Sequence, residues 1–72
     1  MEAACDRIRI WVNGVETATA ACTLDALIDA RGFAGLRVAT AVNGRFVAGL
    51  ARARTILEDG DRIEIVSPRQ GG

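Results

Sequence analysis

Two Asn-Gly pairs, Asn13-Gly14 and Asn43-Gly44, constrain the fold of this chain more than any other feature. A two-residue type I′ turn requires positive φ at both central positions. Asn-Gly tolerates that better than almost any other pair, so Asn-Gly between alternating segments signals a β-hairpin. Residues 7–13 alternate, with Ile8, Ile10 and Val12 on one face and Arg7, Arg9 and Trp11 on the other, the period-two pattern of a half-buried strand. Residues 15–20 form the return strand. Residues 37–43 repeat the pattern with Val38, Thr40 and Val42 inward, and Phe46-Val47 after the second turn makes a short further strand.

Between the hairpins the period changes. Leu24, Leu27 and Ile28 fall at helical spacing while Asp25 and Asp29 face away, and the Thr23 hydroxyl can accept from the first unpaired helix amides. Gly32 suits the left-handed position just past a helix, with Phe33 folding back onto Ile28. Residues 48–55, AGLARART, fit a short helical turn or irregular chain equally and stay unassigned. Ile56 and Leu57 are expected to re-enter the core, residues 58–61 to turn, and residues 62–67 to form the last strand with Ile63 and Ile65 inward. Pro68 ends that strand because it has no amide to donate to a ladder.

A helix with one apolar stripe and a sheet with one apolar face must bury them against each other. The expected fold is therefore α+β of the β-grasp, ubiquitin-like type. It has a mixed four- to five-stranded sheet, first and last strands parallel at its centre, and one main helix packed across one face. Residues 1–67 make that domain and residues 68–72 a flexible C-terminal tail ending in Gly-Gly.

The chain has 72 residues, and a domain of that size buries only about 60% of the surface its unfolded chain exposes. Nine arginines balance nine acidic residues, which removes the field that sequence-independent nucleic-acid binding relies on. The N-terminus lacks the basic-then-apolar order of a secretory signal, and no apolar run approaches the roughly 20 residues of a membrane span. A cytoplasmic location is expected, with no nucleic-acid or membrane partner. Cys5 and Cys22 are expected as unpaired spectator thiols, since two cysteines do not make the dense framework of a small secreted domain.

There is no His, Lys or Tyr. The usual general base with a pKa near neutrality is therefore missing, as is a Schiff-base amine, and a cysteine nucleophile would have no imidazole to activate it. Two thiols without paired CxxC spacing do not make a zinc site. The chain is expected not to be an enzyme and to bind no metal and no cofactor of its own.

The remaining chemistry lies in the tail. Residues 68–72 offer almost nothing to a core and, extended at roughly 3.4 Å per residue, reach about 17 Å. Pro68, Arg69, Gln70 and Gly71 can thread a narrow channel toward Gly72, because residues without Cβ let channel walls approach the backbone from both sides. The Gly60-Asp61 turn, the strand through Ile63, Ile65 and Val66, then Ser67-Pro68 and Gln70-Gly71-Gly72, on this order of elements, resemble the bacterial ubiquitin-like sulfur carriers.

Within that family the chain is most similar to the thiamine-biosynthesis branch, ThiS. The resemblance runs from the Ile8-to-Gly14 strand and turn through Val42-Asn43-Gly44 to the final SPRQGG. Shortness and the Ser-Pro-x-Gln-Gly-Gly ending favour this branch over the molybdopterin-synthase small subunit. Ala48-Gly49 stands where many relatives have Pro-Arg, and Arg52 where an aromatic is common.

The resemblance implies that an E1-like enzyme, using ATP and Mg²⁺ that this chain does not bind, adenylates the carboxylate of Gly72. Sulfur then replaces AMP to give a thiocarboxylate that serves thiazole synthase. Still open at this point are a carrier for molybdopterin or cysteine synthesis, a ubiquitin-like modifier or interaction module, and a plain binding domain.

A partner also needs a surface. Trp11 points away from the apolar face of its strand and is a candidate anchor unless a neighbouring loop covers it. Phe46, Leu50 and Val66 are candidates to join it. Asp25 and Asp29 are read as complementing the helix dipole, and Glu58, Asp59 and Asp61 as turn residues without calcium-loop spacing.

Overall fold

The computed structural model describes residues 6–67. The tail positions Pro68, Arg69, Gln70, Gly71 and Gly72 lie outside the described residues. The elements run β1 (Ile8–Val12), β2 (Val15–Thr19), α1 (Leu24–Ala30), β3 (Ala39–Val42), β4 (Arg45–Val47), a 3₁₀ helix (Gly49–Arg54) and β5 (Arg62–Val66). Both Asn-Gly pairs adopt the left-handed geometry that a type I′ hairpin demands, with φ 52° and 84° at Asn13-Gly14 and 53° and 83° at Asn43-Gly44.

The strands form one five-stranded sheet in the order β2-β1-β5-β3-β4. β1 and β5 pair in parallel, Trp11 opposite Arg62 and Val12 opposite Ile63, and the other pairs are antiparallel. This is the expected β-grasp arrangement, with two hairpins outside a parallel central pair.

Helix α1 is capped as its sequence predicts. The Thr23 hydroxyl accepts from the Ala26 amide at 3.1 Å. At the far end, the Phe33 amide donates to Ile28 O and the Gly32 amide to Asp29 O, a Schellman closure that places Gly32 at φ 88°. Leu24, Leu27 and Ile28 then meet Ile10, Val12, Val38, Leu57, Ile63 and Ile65 in the core, against which Phe33 also packs. Burying each such side chain contributes roughly 1.5–3 kcal/mol, which makes these few residues the main stabilising element.

Residues 48–55 contain the 3₁₀ helix, and a polar cluster around the buried Thr40 holds it. Thr40 is almost fully buried; its hydroxyl donates to Val47 O at 2.8 Å and accepts from Arg52 Nε at 2.9 Å, while Arg52 Nη2 donates to Val38 O at 2.6 Å. Arg52 thus ties the 3₁₀ helix to β3.

Two expectations are corrected. Ile56 does not re-enter the core but is exposed. The 55–57 segment runs extended beside Thr23, bonded through Leu24 N to Thr55 O and Leu57 N to Cys22 O, so successive side chains alternate and Leu57 faces inward while Ile56 faces out. Cys22, expected as an unpaired thiol, is disulfide-bonded. Pairing depends on which segments the fold brings within bonding geometry, which a count of two cysteines does not report. Cys5 lies outside the described residues. Among the described residues no helix is long and apolar enough to cross a membrane.

Candidate functional site

β5 is the strand that leads to the tail, and it occupies the centre of the sheet. Ile63 and Ile65 point into the core, so Arg62, Glu64 and Val66 point to the opposite face, which α1 does not cover. The strand registers place Glu16 and Arg62 on either side of Trp11, then Phe46-Ala41-Glu64 across β4, β3 and β5, then Ala39 opposite Val66. The outer face therefore carries a charged row beside Trp11 and an apolar corner of Phe46, Ala41, Ala39 and Val66 where β5 ends. Phe46 is 70% and Val66 57% exposed, so the corner presents apolar surface to solvent at the base of the tail.

Of the four candidate docking residues, the fold puts Phe46, Val66 and Trp11 on one face, with Phe46 and Val66 on either side of β3. Trp11 is half-buried rather than fully exposed, and it lines an open cavity of ≈ 520 Å³ with Gly14, Gly60, Arg62, Ile63 and Glu64. Leu50 does not join them. It is 94% exposed, but it sits in the 3₁₀ helix, which packs with α1 on the other side of the sheet. Ala39 and Ala41 belong to the corner and escaped sequence reasoning, although the alternation that puts Val38, Thr40 and Val42 inward also puts these alanines outward.

The acidic turn before β5 is engaged in its own construction. Asp61 Oδ2 accepts from the Glu58 amide at 2.8 Å, Asp61 Oδ1 accepts from Asn43 Nδ2 at 3.0 Å, and Asp59 Oδ1 accepts from the Arg9 amide at 2.8 Å. On the outer face Arg9 pairs with Glu16 at 2.8 Å, an exposed ion pair worth at most about 1 kcal/mol.

Both Asn-Gly turns also reach β5. Asn43 Oδ1 accepts from the Arg62 amide at 2.9 Å, near the start of the strand. Asn13 Oδ1 accepts from the Ile65 amide at 2.9 Å while its Nδ2 donates to Ile65 O at 3.2 Å, near the end. The site is thus a central strand held by both turn side chains, ending at Val66 beside an exposed apolar corner.

Comparison with known proteins agrees with this geometry. The ThiS family model matches residues 6–72 of the chain. The crystal structure of the thiamine biosynthesis protein ThiS from Geobacter metallireducens has the same fold, with a TM-score of 0.74 over 83% of this chain and 93% of that one at 23% identity. No curated protein matches the sequence.

Proposed function

The chain belongs to the ThiS family, and from that premise we propose that it is a sulfur carrier of thiamine biosynthesis whose reactive group is the carboxylate of Gly72. The observation that carries the reading is the family match running through the Gly71-Gly72 end, behind a central strand that leads directly into it.

A carboxylate with a pKa near 3.5 is ionised at neutral pH and a poor electrophile, so it must be activated before sulfur can attack. In the proposed sequence a carboxylate oxygen of Gly72 attacks the α-phosphorus of Mg-ATP on an E1-like partner and pyrophosphate leaves, giving an acyl-adenylate. The terminal sulfur of a persulfide attacks the acyl carbon and AMP leaves. A thiol then cleaves the acyl disulfide, forming a disulfide with the donor sulfur and leaving a thiocarboxylate on Gly72. Thiazole synthase takes that sulfur. This chain has no His, Lys or Tyr to contribute, so the partners supply the acid-base groups and Mg-ATP, and the carrier supplies a reachable end.

Arg69, Gln70 and Gly71 line the path into the partner, with Pro68 at its start. The apolar corner of Phe46 and Val66, with Ala39 and Ala41 between them, docks against the partner so that the tail enters its active site. Trp11 and the charged row form the polar rim of the same face.

Incubation with the family's activating enzyme, Mg-ATP and a persulfide or sulfide source should exchange one oxygen for sulfur in the intact mass, located at Gly72 by fragmentation. An unchanged mass beside a demonstrably active partner removes the proposal. Rescue of a thiamine auxotroph then tests the acceptor, since a carrier for molybdopterin or cysteine synthesis would not restore growth.

A further inference from the structure

The parallel pairing of β1 and β5 stops short of the tail. The Trp11 amide donates to Asp61 O and the Asn13 amide to Ile63 O, after which β1 turns away into its hairpin while β5 runs on to Val66. On the β3 side, β5 is paired as far as Val66, opposite Ala39. On the β1 side, the next backbone groups along the ladder belong to Ile65, and both are taken by one side chain: the Asn13 carboxamide accepts from Ile65 N and donates to Ile65 O. A carboxamide presents an acceptor oxygen and an N–H donor side by side, so it can meet both backbone groups of one residue and extend a parallel ladder by one step without any backbone.

Resting on the carrier reading above, we propose that Asn13 is a positioning residue for the transfer reaction. Its side chain holds the tail-bearing end of β5 on the edge that β1 has left, and so sets the direction in which the chain departs after Ser67. Docking through the apolar corner is a separate contact on the outer face. Val66 keeps its pairing with Ala39 on the β3 side and Phe46 is untouched, so loss of the Asn13 clamp chiefly lowers the fraction of docked complexes whose tail stands in the partner's active site. That effect appears in kcat rather than KM, because it acts after binding.

The second turn supplies a matched control. Asn43 has the same turn geometry, with φ 53° against 52° at Asn13, and its side chain also makes two hydrogen bonds, to Arg62 N and to Asp61 Oδ1. It clamps β5 at the end away from the tail. Asn13→Gly and Asn43→Gly each keep a residue that adopts positive φ without strain, so both turns survive and each variant loses two side-chain bonds.

The experiment measures thermal unfolding, amide hydrogen exchange and steady-state adenylation by the activating enzyme for wild type, Asn13→Gly and Asn43→Gly. Similar losses of stability are expected in the two variants. Exchange at Ile65, Val66 and Ser67 should quicken in Asn13→Gly alone. Its kcat should fall about tenfold, the equilibrium equivalent of releasing one residue's backbone from a single conformation, with KM within about twofold of wild type. Asn43→Gly should keep its kcat within about twofold.

Unchanged exchange at Ile65 to Ser67 in Asn13→Gly overturns the clamp whatever the kinetics show. A kcat loss of equal size in Asn43→Gly overturns the positioning role and reduces both residues to stabilisers. Failure of wild type itself to be adenylated removes the carrier reading and with it the role in transfer, while the exchange data still decide the clamp.

Discussion

Phe46 offers the sharpest separation of docking from folding. Its side chain is 70% exposed on β4, so of roughly 200 Å² about 140 Å² is available to a partner. Complete burial of that area at about 25 cal/mol per Å² corresponds to an upper limit of about 3.5 kcal/mol. An alanine at the same position still buries its Cβ and a rim of neighbouring surface, so truncation should remove about 2 kcal/mol of docking energy, in the range of a central interface residue.

Phe46→Ala is therefore expected to raise the KM for the carrier in the adenylation assay about 30-fold, with kcat little changed because the tail and its strand are untouched. Stability should move by less than about 0.5 kcal/mol in urea unfolding, since the removed ring atoms are mostly in solvent already. An unchanged KM in a fully folded variant would refute the assignment of the outer face as the docking surface. A loss of stability well above 1 kcal/mol would instead make Phe46 a structural residue.

In the tail, Gly71→Val should abolish adenylation while leaving thermal unfolding unchanged, because a β-branched side chain crowds a channel shaped for bare backbone; normal adenylation of that variant would defeat the channel argument. In the core, Thr40→Val should cost about 1–3 kcal/mol in urea unfolding, since it removes the acceptor of Arg52 Nε and the hydroxyl bond to Val47 O, whereas adding Arg52→Met should restore part of that loss. Strictly additive costs in the Thr40, Arg52 cycle would show that the two side chains do not act as a unit.

The features legible in the sequence are those whose cause is local. Positive φ at Asn-Gly, the Thr23 cap and the Gly32 stop each depend on a few neighbouring residues, and each appears as expected. The alternation in β1, β3 and β5 was readable for the same reason, because a strand's two faces are written at period two. What escaped reading depends on partners far along the chain. The turn signal at Asn13 accounts for its backbone so completely that nothing in the local pattern asks what its side chain does, yet that side chain bonds a residue 52 positions away.

Leu50 and Arg52 mark the same limit from the opposite side. Both lie in AGLARART, whose composition fits a turn or a coil equally. Only the approach of β3 decides that the arginine turns inward to Thr40 and Val38 while the leucine is left in solvent. An exposed leucine beside a half-buried arginine runs against the usual preference, and the arrangement holds because the Arg52 guanidinium finds a hydroxyl and a carbonyl waiting on β3. Its partly covered guanidinium keeps those bonds at little desolvation cost, so the 3₁₀ helix is fastened to β3 by polar contacts on the α1 side and leaves the outer face of the sheet uncovered.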